Sequence, residues 1–219
     1  MKWFKKKKKP NEDAGFLFRY DGIAIDATQV LFFPPLKEVF QDLSPFHEKV
    51  FFPLCSVQMS LINPDWDFYG HFVYVYREAE ENSQYARYHT PYCGDYSLGF
   101  DVVEKKYTLQ ARANLLELSD KYQKYQQKAA AKYQHFVQDY QENGLENLLP
   151  KNASINFLIK RFGKVPMWVQ EDATPKDVAG NALLFVGQVR VLDFIGEEQH
   201  LYLFYNAKEH YFVQREQYV

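Results

Sequence analysis

Short apolar and aromatic runs bounded by turn residues recur through the first hundred positions, several of them with a period of two, and this pattern is typical of β-strands. The pair Asp21-Gly22 separates two such runs and predicts a tight β-hairpin. A short helix is expected at residues 36–43, between the breaks at Pro34-Pro35 and Ser44-Pro45. The chain is therefore predicted to be strand-rich over 15–103, in the runs 16–20, 23–25, 50–62 (two strands), 68–77, 85–89 and 96–103.

The period changes after residue 103. Residues 104–142 contain no proline or glycine, and their apolar side chains recur at steps of three and four, as on one face of an amphipathic helix. The pattern predicts one long helix, or two helices with a break near Ser119 and Asp120, which are both good N-caps. Asn143-Gly144 is expected to close the helical region of 104–143. An unbroken helix would be roughly 58 Å long, which exceeds the width of a compact domain of this size.

Strands are predicted again over 155–216. Three alternating runs, at 183–194, 201–205 and 211–215, are separated by turn-forming residues and indicate a C-terminal antiparallel meander. Strands, then a helix, then strands favour an α+β fold with largely antiparallel sheets. We expect a single domain over 13–219, preceded by a basic disordered tail at 1–12.

Charge is distributed unevenly along the chain. Six of the 26 basic residues lie within residues 1–10, so the rest of the chain carries 20 basic against 28 acidic residues, a charge of −8. An acidic body disfavours nucleic acid and favours a basic protein partner, although plain solubility also explains it. The lysines from Lys5 to Lys9 would allow weak association with an anionic membrane surface, the alternative being a solvated tail. Without an apolar stretch of ~20 residues or a secretory pattern, we expect a cytoplasmic protein without a transmembrane segment.

The sequence contains no recognised catalytic, metal or phosphate-binding motif. None of the six histidines lies four residues from another, and HExxH, paired CxxC, GxSxG and glycine-rich phosphate loops are all missing. We therefore expect no metal, no cofactor and no catalytic residues. Cys93 with His89 and Asp95 forms the one cluster that favours an alternative, a thiol-dependent hydrolase, although a turn at the end of a strand explains it as well.

Aromatic residues make up 18% of the chain, with 17 tyrosines and 19 phenylalanines. Exposed tyrosine is enriched at protein interfaces, so the predicted helix is a candidate partner surface. The same tyrosines would equally serve as core, because one stripe of the helix must cover the sheet. The candidate binding residues on this helix are Asp120, Tyr122, Tyr125, Tyr133, Asp139, Tyr140 and Glu142.

Residues 162–170, Phe-Gly-Lys-Val-Pro-Met-Trp-Val-Gln, resemble the Gly-x-x-Pro-x-Trp-x-Gln element of the YwqG-like family of bacterial proteins of unknown function. Gln188 within 183–189 and the run 202–205 follow in the order of that family's next strands. The resemblance implies paired antiparallel sheets, and such proteins often occur beside bacterial toxin genes as candidate immunity proteins. Trp168 and Gln170, expected on one face of a strand, join the candidate binding residues, unless Gln170 only satisfies backbone groups beside a buried indole.

Together these observations predict a non-enzymatic cytosolic module that binds a protein. An immunity protein that neutralises a basic toxin domain is the specific hypothesis, and the thiol enzyme at Cys93 and His89 is the alternative.

Overall fold

Antiparallel sheets and one long helix build the described part of the protein, which confirms the α+β class. The structure is a computed structural model and describes residues 16–20, 23–76, 86–118, 120–144, 159–163 and 165–219. The strands are β1 (Phe16–Tyr20), β2 (Ile23–Asp26), β3 (Val30–Phe32), β4 (Phe51–Gln58), β5 (Tyr69–Val75), β6 (Ser97–Val103), β7 (Lys106–Leu109), β8 (Ile159–Phe162), β9 (Leu184–Arg190), β10 (Gln199–Asn206) and β11 (Tyr211–Tyr218). The α-helices are α1 (Leu36–Val39), α2 (His47–Val50), α3 (Asp120–Asn143) and α4 (Leu192–Ile195).

The large sheet has six strands in the order β7-β6-β11-β10-β9-β8. Strands β9, β10 and β11 pair with their neighbours in chain order, with Tyr205 opposite Phe212 on one side and Leu184 on the other. This confirms the predicted C-terminal meander. Strand β6 pairs with the free side of β11, so a strand from the first half of the chain completes the sheet around the meander.

Two smaller sheets come from the first 75 residues of the chain. Strands β1 and β2 pair antiparallel with Tyr20 opposite Ile23, as the predicted hairpin requires. The turn residues Asp21 and Gly22, like the predicted tail of residues 1–12, lie outside the described residues. The small sheet has the order β3-β4-β5 and packs against the large sheet.

Three local predictions in the first half of the chain were wrong. Residues 50–62 hold one strand, β4, followed by a 3-10 helix at Met59–Leu61, because the Met59 amide donates to the Phe68 carbonyl at 2.8 Å and turns the chain. The predicted strand at 85–89 contains a 3-10 helix at Ala86–Tyr88 that lies on the surface. The helix expected at 36–43 ends at Val39.

The helical prediction for 104–119 was also wrong. Glu104 and Lys105 have φ of 50° and 67° and form a two-residue hairpin turn, so β7 pairs back onto β6 with Lys106 opposite Val103. This turn usually contains asparagine or glycine, and neither residue is present here. A 3-10 helix at Ala113–Leu116 follows β7.

The long helix begins where the sequence predicted a break. Helix α3 spans 24 residues, about 36 Å, so the projecting helix of 58 Å does not form. It ends as predicted at Gly144, which has φ of 73° and donates its amide to the Tyr140 carbonyl. Within the described ranges, no helix combines the length and the apolarity that crossing a bilayer requires.

Aromatic rings fill the main core between the two sheets and α3. Phe40 stacks on Phe51 with ring centroids 4.5 Å apart, and Phe33 contacts the rings of Tyr133 and Phe194 at 5.8 and 5.9 Å. Ring pairs at these separations add to the free energy gained from burial. Much of the unusual aromatic content is therefore explained by packing between layers.

Strand β5 forms an edge of the small sheet, yet its backbone is buried against the large sheet. The Tyr107 hydroxyl accepts the His71 amide at 2.8 Å and donates to the His71 carbonyl at 3.4 Å. The Gln214 side chain repeats this two residues further along, because it accepts the Val73 amide at 2.9 Å and donates to the Val73 carbonyl at 2.7 Å. Two side chains of the large sheet therefore satisfy the strand edge in place of a neighbouring strand.

Replacing Gln214 with leucine should test this edge. The substitution keeps the approximate volume but leaves the buried amide and carbonyl of Val73 without partners, so we expect a loss of about 2–4 kcal/mol in the free energy of unfolding. Urea unfolding measures the loss. Gln134→Leu, at an exposed position of α3, is the matched control and should change stability by less than about 0.5 kcal/mol. Equal stabilities of the two variants would contradict this role of Gln214.

The second prediction concerns the effect of acid pH on the free energy of unfolding. Burial lowers the pKa of His71 to about 3, whereas an unfolded histidine titrates near 6.5. Between these values only the unfolded chain takes up the proton, so the free energy of unfolding should fall by ~1.4 kcal/mol per unit as pH decreases. We expect this slope between about pH 6.5 and 4.5, because most carboxylates take up protons only at lower pH.

His71→Phe should lose this slope whatever its absolute stability, because it has no proton to bind. Urea unfolding at several pH values compares the two slopes. Parallel curves for the wild type and the variant would show that His71 does not carry the pH dependence.

Candidate functional site

An irregular segment at residues 165–176, which we call the strap, crosses the face of the large sheet opposite the main core. Trp168 lies on its inner side, with its ring 4.4 Å from that of Tyr202 and stacked on Phe204 at 5.9 Å. These rings belong to a second apolar cluster that also contains Phe185 and Val213. Trp168 is therefore the apolar anchor of the strap.

Buried polar side chains of β9 and β10 hold the strap by its backbone. Gln188 accepts the Met167 amide and donates to the Met167 carbonyl, both at 3.0 Å. The Tyr202 hydroxyl donates to the same carbonyl at 3.1 Å and accepts the Val169 amide at 3.1 Å. Burial raises the pKa of Tyr202 to about 12, so its hydroxyl keeps its proton at neutral pH and can donate it.

A buried glutamine of β11 holds the next part of the strap. The Gln217 carbonyl oxygen accepts the amides of Val169 at 3.1 Å and Gln170 at 3.2 Å, and its amide donates to the Glu171 carbonyl at 2.7 Å. Three consecutive strands of the large sheet thus fix the strap without forming a strand ladder with it.

The outer side of the strap is apolar. Val165, Met167 and Val169 are 63%, 47% and 38% exposed, whereas Trp168 between them points to the sheet. Exposure alternates along this segment, since Pro166 and Trp168 are less exposed than their neighbours, and we call the three exposed apolar side chains the ridge. Most exposed apolar side chains of a protein stand singly, whereas a contiguous set held on a fixed backbone is typical of an interaction surface.

The strap also carries negative charge. Residues 165–182 hold the acids Glu171, Asp172 and Asp177 against the single base Lys176. Hydrogen bonds from the side chain and amide of Thr174 lower the pKa of Asp172, so this exposed carboxyl is ionised at neutral pH. Ionised acids therefore follow directly after the ridge.

The structure brings the predicted residues Trp168 and Gln170 together on the strap, but not in a strand as expected. The reason is that Gln188, Tyr202 and Gln217 satisfy this backbone with side chains. Gln170 donates its side-chain amide to the Tyr218 carbonyl at 2.9 Å, which agrees with the interpretation that it satisfies a backbone group.

The tyrosines predicted on the helix separate into two groups. Tyr133 is buried and donates its hydroxyl to the Pro53 carbonyl at 2.8 Å, and burial raises the pKa of this hydroxyl well above its usual range. Tyr140 packs its ring on Phe33 at 5.7 Å. Placing Tyr133 on an accessible partner surface was therefore wrong, because the stripe that carries both residues covers the core.

The exposed start of α3 is basic. Tyr125 is 43% exposed, and the ammonium groups of Lys124 and Lys128 lie 4.9 and 5.7 Å from its ring centroid. Tyr122 contacts Tyr125 with ring centroids 6.3 Å apart. The exposed Tyr125 therefore lies beside two lysines, whereas the sequence analysis had grouped the tyrosines of the helix with acids.

The predicted acids lie at the two ends of the helix. Asp120 begins α3, whereas Asp139 and Glu142 lie near its end. Asp139 accepts a bond from Asn143 at 2.8 Å, and Glu142 accepts one from Gln138 at 2.7 Å. The predicted binding residues therefore divide between two segments of the described chain, the helix and the strap.

The thiol cluster has the geometry of a turn. Cys93 is 1% exposed, and its sulfur accepts the Gly99 amide at 3.1 Å. The Thr90 hydroxyl accepts the Cys93 amide at 3.0 Å, and His89 Nε2 lies 3.3 Å from Asp95. A thiol in this position is closed to a substrate, so the geometry gives the hydrolase alternative no support. Among the described residues, no three histidine, cysteine or acidic side chains converge as metal ligands would.

Sequence reasoning missed the ridge and the glutamines that fix the strap. The alternation of Val165, Met167 and Val169 was visible, but alternation alone does not tell which face is exposed. Gln188 is a polar residue within the predicted apolar run 183–194, and this was the signal available for a buried hydrogen-bonding role, whereas Gln217 lies beyond the predicted run 211–215 and gave no such signal.

Alanine substitutions should distinguish the buried from the exposed tyrosine of α3. Tyr133→Ala removes a ring packed on Phe33 and Phe52 and should lower the free energy of unfolding by about 3–5 kcal/mol. Tyr125→Ala should change it by less than about 0.5 kcal/mol. Urea unfolding of both variants measures this contrast. A similar loss of stability in both would show that Tyr133 and Tyr125 do not differ in burial as described.

Comparisons with known proteins do not assign the chain to a family. No protein-family model matches it, and neither the curated proteins nor the solved structures contain a match. The resemblance of residues 162–170 to the YwqG-like family therefore remains a prediction, and the function has to be argued from the geometry.

Proposed function

We propose that this protein is a non-enzymatic binding module that holds a basic protein partner on the strap. The observation that carries the proposal is the ridge of Val165, Met167 and Val169, three exposed apolar side chains, of which Met167 and Val169 have their backbone fixed by hydrogen bonds to buried side chains. Methionine and other large apolar side chains supply contact area at the centre of interfaces.

Fixation of the strap favours binding. Gln188, Tyr202 and Gln217 order its backbone before a partner arrives, so association does not have to order this segment. A preorganised surface loses less conformational entropy on binding and therefore retains more of the free energy of its contacts.

Charge indicates the class of partner. The chain outside residues 1–10 carries −8, and Glu171 and Asp172 place two acidic side chains next to the ridge in the chain. Such a surface attracts a basic protein and accelerates its encounter with the ridge. An immunity protein that neutralises a basic toxin domain is the specific form of this proposal, and it depends on the family resemblance of residues 162–170.

A photo-reactive amino acid placed at position 167 should capture the partner in a native lysate, and the same group at position 178 is the matched control. Val178 is 84% exposed in the turn that follows the strap but is not part of the ridge. Mass spectrometry identifies the proteins captured, and the purified partner is then titrated calorimetrically.

Replacing the three ridge residues with serine should weaken binding of this partner by at least about tenfold, which corresponds to ~1.4 kcal/mol. Val178→Ser should leave the affinity unchanged, and thermal unfolding should show that both variants remain folded. Glu171→Lys should slow association, because it reverses a charge beside the ridge. The proposal is wrong if the ridge variant binds as tightly as the wild type, or if position 167 captures nothing that position 178 does not.

A further inference from the structure

A cavity of about 780 Å³ lies between the 3-10 helix Ala86–Tyr88 and the end of β7, and none of the ridge residues lines it. Arg87 and Arg112 both line it, although 25 positions separate them in the chain. They meet because the 3-10 helices Ala86–Tyr88 and Ala113–Leu116 contact each other. This volume lies within the range of ordinary small-ligand sites.

Both guanidinium groups lack a counter-ion within the described residues. Among the described residues, no carboxylate lines the cavity, and two acids close to it in the chain have other partners. Asp95 lies 3.3 Å from His89 Nε2, and Asp101 accepts a bond from the Gln110 amide at 2.7 Å. Two positive charges without a carboxylate partner among the described residues are unusual around one cavity in a chain whose body carries −8.

Neighbouring groups complete a site for an oxyanion. The Arg87 guanidinium lies 4.9 Å from the ring centroid of Tyr88, a cation-π contact that orients it. The Thr90 hydroxyl accepts the Cys93 amide, so its own hydrogen remains available to a ligand. Tyr88 and Leu109 add an apolar wall.

We propose that this cavity binds a small phosphomonoester whose organic group is aromatic. Guanidinium groups bind phosphate oxygens through paired hydrogen bonds, and two of them match the double charge of a phosphomonoester. A carboxylate would neutralise only one of these charges. The aromatic group would lie against Tyr88 and Leu109. This inference is independent of the function proposed for the strap.

Calorimetric titration at low ionic strength tests the proposal with three probes: phenyl phosphate, inorganic phosphate and benzoate. Low salt is needed because screening weakens exposed charges. Phenyl phosphate should bind most tightly, since inorganic phosphate lacks the ring and benzoate lacks the second charge. Equal binding of benzoate would overturn the assignment to a phosphate, and equal binding of inorganic phosphate would overturn the assignment of the aromatic group.

Substitutions then locate the site. Arg87→Ala and Arg112→Ala should each weaken phenyl phosphate binding about tenfold or more, whereas Arg112→Lys keeps the charge but not the paired donors and should give an intermediate loss. Lys124→Ala, on the exposed face of α3, removes a positive charge elsewhere and should leave the affinity unchanged. Both arginines are exposed, so thermal unfolding should stay near that of the wild type. Absence of binding, or the same loss in Lys124→Ala as in the arginine variants, would refute the site.

Discussion

The backbone edge of β5 is the constraint on which the packing of the two sheets depends. The amide and carbonyl groups of His71 and Val73 point away from the small sheet into the core, where each unpaired group would cost about 1–3 kcal/mol. Tyr107 and Gln214 satisfy them from the large sheet, and these bonds form only when the sheets meet in one register. The apolar core supplies most of the free energy of folding, but these polar contacts select the arrangement.

The opposite face of the large sheet uses the same chemistry. Gln188 binds both backbone groups of Met167, as Gln214 binds both groups of Val73. On the inner face, the bonds between Gln214 and Val73 join the two sheets. On the outer face, the bonds between Gln188 and Met167 fix the strap, whose other side is exposed to solvent. The strap therefore obtains the backbone hydrogen bonds of a strand without a strand beside it, and the ridge stays accessible.

The two surfaces proposed for ligands differ in chemistry and share one border. The turn that follows the oxyanion cavity continues into Tyr92, whose hydroxyl accepts a bond from Tyr211 at 2.7 Å beside the end of the strap. The ridge offers apolar area with acids next to it, whereas the cavity offers two guanidinium groups. An acidic body can carry both because screening in water confines each charge to its own neighbourhood.

Local pattern determined much of the architecture. The alternation of apolar residues predicted the C-terminal meander, and α3 begins at the break expected in the two-helix alternative and ends at Gly144, because strand period and helix ends depend on neighbours in sequence. The sequence pattern did not predict the Glu104-Lys105 turn, because its positive φ angles are imposed by the pairing of β6 with β7. Only the tertiary structure decided that Tyr133 is core, that the ridge faces solvent and that Gln214 binds Val73, a residue 141 positions away. Burial and hydrogen-bond satisfaction are set by contacts between distant segments, and a local sequence pattern does not specify those contacts.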